Sequence, residues 1–131
     1  MLPRVDVLAS RVLLHPSDFE RSRRFYAEGL GLAVFREWGE VSEGGVVFYI
    51  GGGLLELSGA ATEPPSGAVR LLLQVRDVHA EWQRLISTGA RIETEPETMP
   101  WGLIEMTVRD PDGFEIVLAE VPPNHPQRRS G

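Results

Sequence analysis

The chain has 131 residues, 42% of them apolar and 24% charged, with a formal net charge of −6, which suits one compact domain able to bury a core. It has no cysteine, and its 13 basic residues are all arginine, so disulfides, thiolate catalysis, cysteine-ligated metal and Schiff-base chemistry are excluded. No apolar run approaches the ~20 residues of a membrane helix, the N-terminus lacks a signal peptide's apolar centre, and the arginines are scattered rather than striped. A cytoplasmic protein with no membrane or nucleic-acid partner is therefore expected.

The first element is an apolar strand in "RVLLH" from Arg11. A helix follows, opened by "SDFE", where Ser17 and Glu20 have capping-box spacing, and closed at Gly29 or Gly31. Phe19, Phe25, Tyr26 and Leu30 form its apolar stripe. Next come three strands, "AVFRE", "GVVFYI" and "GLLELSG", separated by "WGEVSEGG" and by a turn at Gly51–Gly53. That glycine run joins two strands, so it is a hairpin turn and not a phosphate cradle. After the linker "ATEPPSG" (61–67) the scheme recurs. A strand in "RLLLQ" leads to a helix from near Asp77 to Gly89, with Val78, Trp82, Leu85 and Ile86 on one face. The strands "RIETEPE", "LIEMTVR" and "FEIVLAE" complete the half around "TMPWG" and "DPDG". Residues 122–131, "PPNHPQRRSG", are Pro-rich and polar and read as a disordered tail.

The two halves align: Arg11 matches Arg70, Leu13 matches Leu72, and Asp18 matches Asp77 at one constant offset. This points to an internal duplication, with one domain over residues 1–121 made of modules at about 8–60 and 68–121. The fold class is α+β, two tandem strand-helix-three-strand modules forming a partly open curved sheet around a central cavity. Each helix covers the more apolar face of its strands. Alternation puts Val12, Leu14, Leu55, Leu57, Leu71, Leu73, Ile104, Met106, Val108, Ile116 and Leu118 on that face. Arg11, Leu13, His15, Glu56, Ser58, Arg70, Leu72, Gln74, Leu103, Glu105, Thr107, Glu115 and Val117 fall on the other, which would line a trough.

The pattern "RVLLHPSDFERSRRFYAEGLGL … FYIGGGLLELSG … RLLLQVRDVHAEWQRL … PWGLIEMTVRDPDGFEIVLAE" resembles the vicinal oxygen chelate superfamily over roughly residues 8–121. That group includes glyoxalase I, bleomycin-resistance proteins, extradiol dioxygenases and fosfomycin-resistance enzymes, and one scaffold hosts unrelated reactions. The resemblance implies paired βαβββ modules, and in metal-dependent members a divalent ion held by the first and last strand of each module, usually through His and Glu. Carried onto this chain, those positions are Arg11, Glu56, Arg70 and Val117. A guanidinium stays charged and repels a cation, so no metal and no cofactor is expected. In this the chain is closest to the metal-free bleomycin-resistance branch. His15 with Glu56 and Glu115 or Glu105 is the remaining His/carboxylate set.

Arg11, Glu56 and Arg70 are expected to form a charge-assisted cluster, either closing the trough or leaving one arginine to hold a ligand. Trp101, in a "PWG" like that of the bleomycin-resistance branch, is placed to stack on a planar ligand or to anchor its loop. Phe48 is assigned to the trough and Tyr49 to the helix side. Trp38 lines an entrance or caps a hairpin, while His79 and His125 face solvent. The expected ligand-binding set is thus Arg11, His15, Phe48, Glu56, Arg70, Leu72, Trp101, Leu103, Glu115 and Val117. The leading function is metal-free sequestration of a small molecule, such as an antibiotic or metabolite, by a homodimer whose apolar "VDVLAS" covers a sheet edge. The alternatives are a lyase or isomerase resembling glyoxalase I, with Glu56, Glu105 or Glu115 as base and Arg11 or Arg70 as electrophile, and a fold kept for assembly with its trough closed.

Overall fold

A computed structural model describes residues 2–40 and 43–129. Its elements are β1 (Arg11–Leu14), α1 (Phe19–Arg24) continuing into a π turn (Phe25–Gly29), β2 (Val34–Trp38), β3 (Gly45–Ile50) and β4 (Gly53–Leu57), then β5 (Leu71–Gln74), α2 (Val78–Thr88), β6 (Arg91–Thr98), β7 (Ile104–Arg109), β8 (Glu115–Glu120) and a short α3 (Pro126–Arg129). The strands form two four-stranded sheets of identical topology, β1-β4-β3-β2 and β5-β8-β7-β6. In each, the first strand runs parallel to the last and the remaining pairs are antiparallel. The strand-helix-strand crossover makes that parallel pairing possible, since a hairpin joins only antiparallel strands. The tandem α+β modules expected from the duplication are present.

The core follows the alternation. Leu55, Leu57, Met106, Val108, Ile116 and Leu118 are buried in one cluster, and Val12, Leu14, Leu71, Leu73 and Ile104 pack against it. Tyr26 and Leu30 from helix 1, with Val78 and Leu85 from α2, join the same cluster. One core therefore spans both modules.

Helix α2 is bounded as its sequence requires: the Asp77 carboxylate accepts the Ala80 N–H at 3.1 Å, and Gly89 closes it at φ 73°, a left-handed conformation that costs glycine no Cβ clash. Helix α1 differs from expectation. Its N-cap is Asp18, which accepts the Arg21 N–H, because Ser17 is engaged elsewhere: its N–H and hydroxyl both bind the Asp112 carboxylate of the second module. Two further links join the modules. The Tyr26 hydroxyl donates to Asp110 Oδ2 at 2.8 Å. Arg84 of α2 donates to the carbonyls of Gly29 and Leu30 at 2.9 and 2.8 Å, which the end of a helix would otherwise leave unpaired.

The tail is more ordered than expected. Residues 126–129 form α3, His125 Nε2 lies 2.9 Å from the Trp101 carbonyl oxygen, and Arg128 donates to the Val121 carbonyl at 2.7 Å. His125 thus docks on the β6–β7 loop and does not simply face solvent. Ser130 and Gly131 lie outside the described residues, as do Val41 and Ser42 of the expected β2–β3 turn. The segment "VDVLAS" forms no strand within the chain, and Val5, Val7 and Leu8 are exposed.

Candidate functional site

The face of each sheet turned away from the helices is the candidate site. In the first sheet Leu13 stands opposite Glu56, and in the second Leu72 stands opposite Val117. Those pairings make Glu56 and Val117 structurally equivalent, as the aligned motifs imply. Leu13 and Leu72 are 57% and 50% exposed, so among the described residues nothing covers the start of either open face.

The expected three-residue cluster is replaced by two ion pairs. Arg11 Nη1 lies 2.8 Å from Glu56 Oε1, and Arg70 Nη1 lies 3.4 Å from Glu115 Oε1. Arg70 therefore pairs within its own module and not with Glu56. Both pairs join residues 45 apart, yet they are not equivalent by register. Arg11 stands opposite Leu54 and reaches diagonally to Glu56, whereas Glu115 lies two residues before Val117, on the strand that pairs with β5. The Arg70 side of its pair is half exposed, and surface pairs contribute about 0–1 kcal/mol.

The three candidate bases all have partners. Glu56 is held below its ordinary carboxyl value by the Ser58 hydroxyl, which donates at 2.6 Å, and then by Arg11. A general base near neutral pH needs a shift the other way. Glu105 is buried and accepts the Trp101 indole N–H at 2.7 Å, and Glu115 faces Arg70. Trp101 is accordingly both a loop anchor and a presented surface, since the residue stays 54% exposed. Leu103 and Val117 are buried, Leu103 in a small cluster with Ala119 and Val121. These two form a floor and do not project as walls.

Phe48 requires correction. It is fully buried in the core, its ring tilted against that of Tyr26 at 6.1 Å, because β3 pairs Phe48 with core-facing Leu55. Tyr49 is the outward neighbour, 46% exposed and edge-on to Phe35 at 5.3 Å. Tyr49 and Phe35 join the candidate face, which alternation alone missed, since "GVVFYI" is apolar on both phases. Trp38 carries the Arg36 guanidinium 5.1 Å from its ring and lies against Gly45, capping the hairpin.

His15 does not complete a metal set. Its Nδ1 lies 2.7 Å from the Ser58 carbonyl oxygen, and although Glu63, Asp110 and Asp112 line the same cavity of about 220 Å³, Asp110 is bonded by Tyr26, Asp112 by Ser17, and no set of three ligand atoms that includes His15 converges among the described residues. Among the described residues the group of potential ligands that does converge is Asp77, His79 and Glu120, with ligand atoms within 4.8 Å. Asp77 and Glu120 both accept N–H groups at the start of α2, from Ala80 and Val78, where the helix end favours anions over cations. This is a capping arrangement. At the positions where metal-dependent vicinal oxygen chelate proteins hold their ion, the donors are Arg11, Glu56, Arg70 and Val117. One carboxylate beside a guanidinium does not fit a divalent cation.

Two βαβββ modules with open sheet faces define a class, and the comparisons agree with it. Residues 9–118 match the family model described as the Glyoxalase/Bleomycin resistance protein/Dioxygenase superfamily, and the chain belongs to that family. Among solved structures it is similar to SMU.1112c, at 29% identity and a TM-score of 0.75 over 88% of this chain and 100% of that one. A glyoxalase-related enzyme from Fulvimarina pelagi matches at 26% identity and a TM-score of 0.69, covering 88% of both chains. TnmS3, an antibiotic binding protein from Streptomyces sp. CB03234, matches at 25% identity and a TM-score of 0.75, over 91% of this chain and all of that one. No curated relative matches the chain. No helix among the described residues is long and apolar enough to cross a membrane.

Proposed function

We propose that this protein binds a planar, partly apolar small molecule on its open sheet faces, without a metal, and that it does so as a cytoplasmic homodimer in which a second copy supplies the covering wall. The observation that carries the reading is the pair of faces themselves. Arg11, Leu13, Phe35 and Tyr49 on one, and Arg70, Leu72 and Trp101 on the other, combine exposed aromatic or aliphatic surface with guanidinium groups. Exposed apolar side chains in such number mark a surface that something covers. Aromatic surface with a few fixed polar groups is how small-molecule sites achieve both affinity and orientation. The similarity to an antibiotic binding protein supports sequestration, which needs affinity and no chemistry.

The test is calorimetric titration with a panel of planar polycyclic antibiotics, with and without a chelator, alongside light scattering. Saturable binding that the chelator leaves unchanged, by a dimer, is expected. Absence of saturable binding across the panel, or a stoichiometric divalent ion in the purified protein, overturns the reading.

A further inference from the structure

We infer that the cleft between the two modules, on the helix side of the molecule, is a second binding site, and that it takes a small, multiply charged anion bearing phosphate or carboxylate groups. The cleft has a volume of about 520 Å³ and is walled by the end of helix 1, by the α2–β6 connection and by the β7–β8 turn. Four arginines line it: Arg21, Arg24, Arg91 and Arg109. The chain as a whole carries a net charge of −6, so this concentration of positive charge runs against the background of the molecule.

Two carboxylates, Glu28 and Asp110, stand against the four guanidinium groups of the wall, which leaves positive charge in excess. Asp110 is already bonded by the Tyr26 hydroxyl and by the N–H groups of Asp112 and Phe114. Glu28 is the other carboxylate in the wall, and its field acts on Arg23. Among the described residues Arg21, Arg24 and Arg91 form no ion pair, whereas Arg11, Arg23, Arg70, Arg84 and Arg109 each do. Arg109 is the most committed of the four, its Nε lying 3.5 Å from Glu93 and its Nη1 donating to the Gly113 carbonyl at 3.0 Å. Clefts lined by one sign of charge focus potential and concentrate counter-ions. The guanidinium fork suits phosphate or carboxylate oxygens in particular.

The backbone of the wall is also unusual. Phe25–Gly29 is a π turn, closed by the Leu30 N–H on the Phe25 carbonyl at 2.8 Å. Such turns are rare and concentrate at functional sites. Phe25, Glu28 and Gly29 of this turn all line the cleft. A helix C-terminus would repel an anion, but Arg84 covers the Gly29 and Leu30 carbonyls and removes that obstacle. The volume exceeds a lone inorganic phosphate and falls within the ~300–1,000 Å³ of small-molecule sites. The occupant is thus a small organic anion or polyphosphate, with Phe25 available to its uncharged part.

Calorimetric titration of the full chain at low ionic strength, with inorganic pyrophosphate and with citrate as separate probes, tests this. Saturable binding of at least one probe, one per chain, is expected, weakened at least tenfold by Arg24→Ala and by Arg91→Ala. Arg76→Ala removes the same charge from an exposed position outside the cleft and is expected to leave the affinity within twofold. Arg24 and Arg91 are both exposed, so their removal leaves the core intact. Pyrophosphate binding alone assigns phosphate chemistry, and binding of both assigns charge and size. No saturable heat with either probe, or equal loss in all three variants, overturns the inference.

Discussion

The Tyr26 hydroxyl and the Asp110 carboxylate meet at 2.8 Å across the module boundary, inside the core. They come from the two most distinctive stretches of the chain, the "FY" of helix 1 and the "DPDG" turn. Asp110 uses its other oxygen to hold that turn, accepting the N–H groups of Asp112 and Phe114 at 2.9 and 2.8 Å. One side-chain pair thus shapes a hairpin and docks a helix from the other module onto it. Tyr26→Phe removes one donor from a buried carboxylate and is expected to cost about 1–3 kcal/mol, measured by urea denaturation, while calorimetric binding at the open sheet faces is unchanged.

Stability against pH separates two carboxyls of opposite sign. Burial, outweighing the Tyr26 hydroxyl and the backbone N–H groups, raises Asp110 above its ordinary 3.8. A raised carboxyl holds its proton more tightly in the folded chain, so its contribution is full below the ordinary value and is lost as pH rises through the raised one. Glu56 is lowered from 4.5 by the Ser58 hydroxyl and Arg11, so its contribution is present above the ordinary value and lost as pH falls through the lowered one. In denaturation series across the acid range, the advantage of the native protein over Asp110→Asn is expected to shrink with rising pH. Its advantage over Glu56→Gln is expected to grow.

Gly45 lies so close beneath the Trp38 ring that a Cβ there would overlap the indole. Gly45→Ala is expected to destabilise the chain by about 1–3 kcal/mol through overpacking. Adding Trp38→Ala is expected to recover part of the loss in a double-mutant cycle read by chemical denaturation. Additive losses would show that the cost of Gly45→Ala does not come from contact with the indole.

Trp101 separates ring contact from hydrogen bonding. Trp101→Ala is expected to weaken small-molecule binding by about 1–3 kcal/mol, as aromatic anchors do. Trp101→Phe keeps a ring but strands Glu105, whose partner is the indole N–H. It is expected to retain more affinity than the alanine variant while losing stability, as separate calorimetric and denaturation measurements would show.

What could be read from the residues was local. Alternation sorted eleven strand side chains onto the core face, all of which pack there, because side-chain direction repeats every two residues whatever surrounds the strand. Asp77 and Gly89 bounded α2 for the same kind of reason: each satisfies groups within one turn of itself. The duplication showed in Leu13 and Leu72, which end up equally open. Where local signal was absent or ambiguous, tertiary structure decided. In "GVVFYI" both phases are apolar, and only pairing with β4 turned Phe48 inward and Tyr49 out. Asp18 took the helix cap because Asp112, far along the chain, engaged Ser17.

By itself the sequence determined that the chain would form two like modules and which strand face would be greasy. The resemblance it carries implied that Arg11 and Arg70 occupy positions where metal-dependent members of the superfamily hold their ligands. Only the tertiary structure decided that Arg70 pairs with Glu115 and not Glu56, that His15 turns to a backbone carbonyl, and that four arginines from both modules converge on one cleft. Periodicity is carried by neighbouring residues, whereas the choice among distant charged partners depends on strand register and on how one module seats against the other.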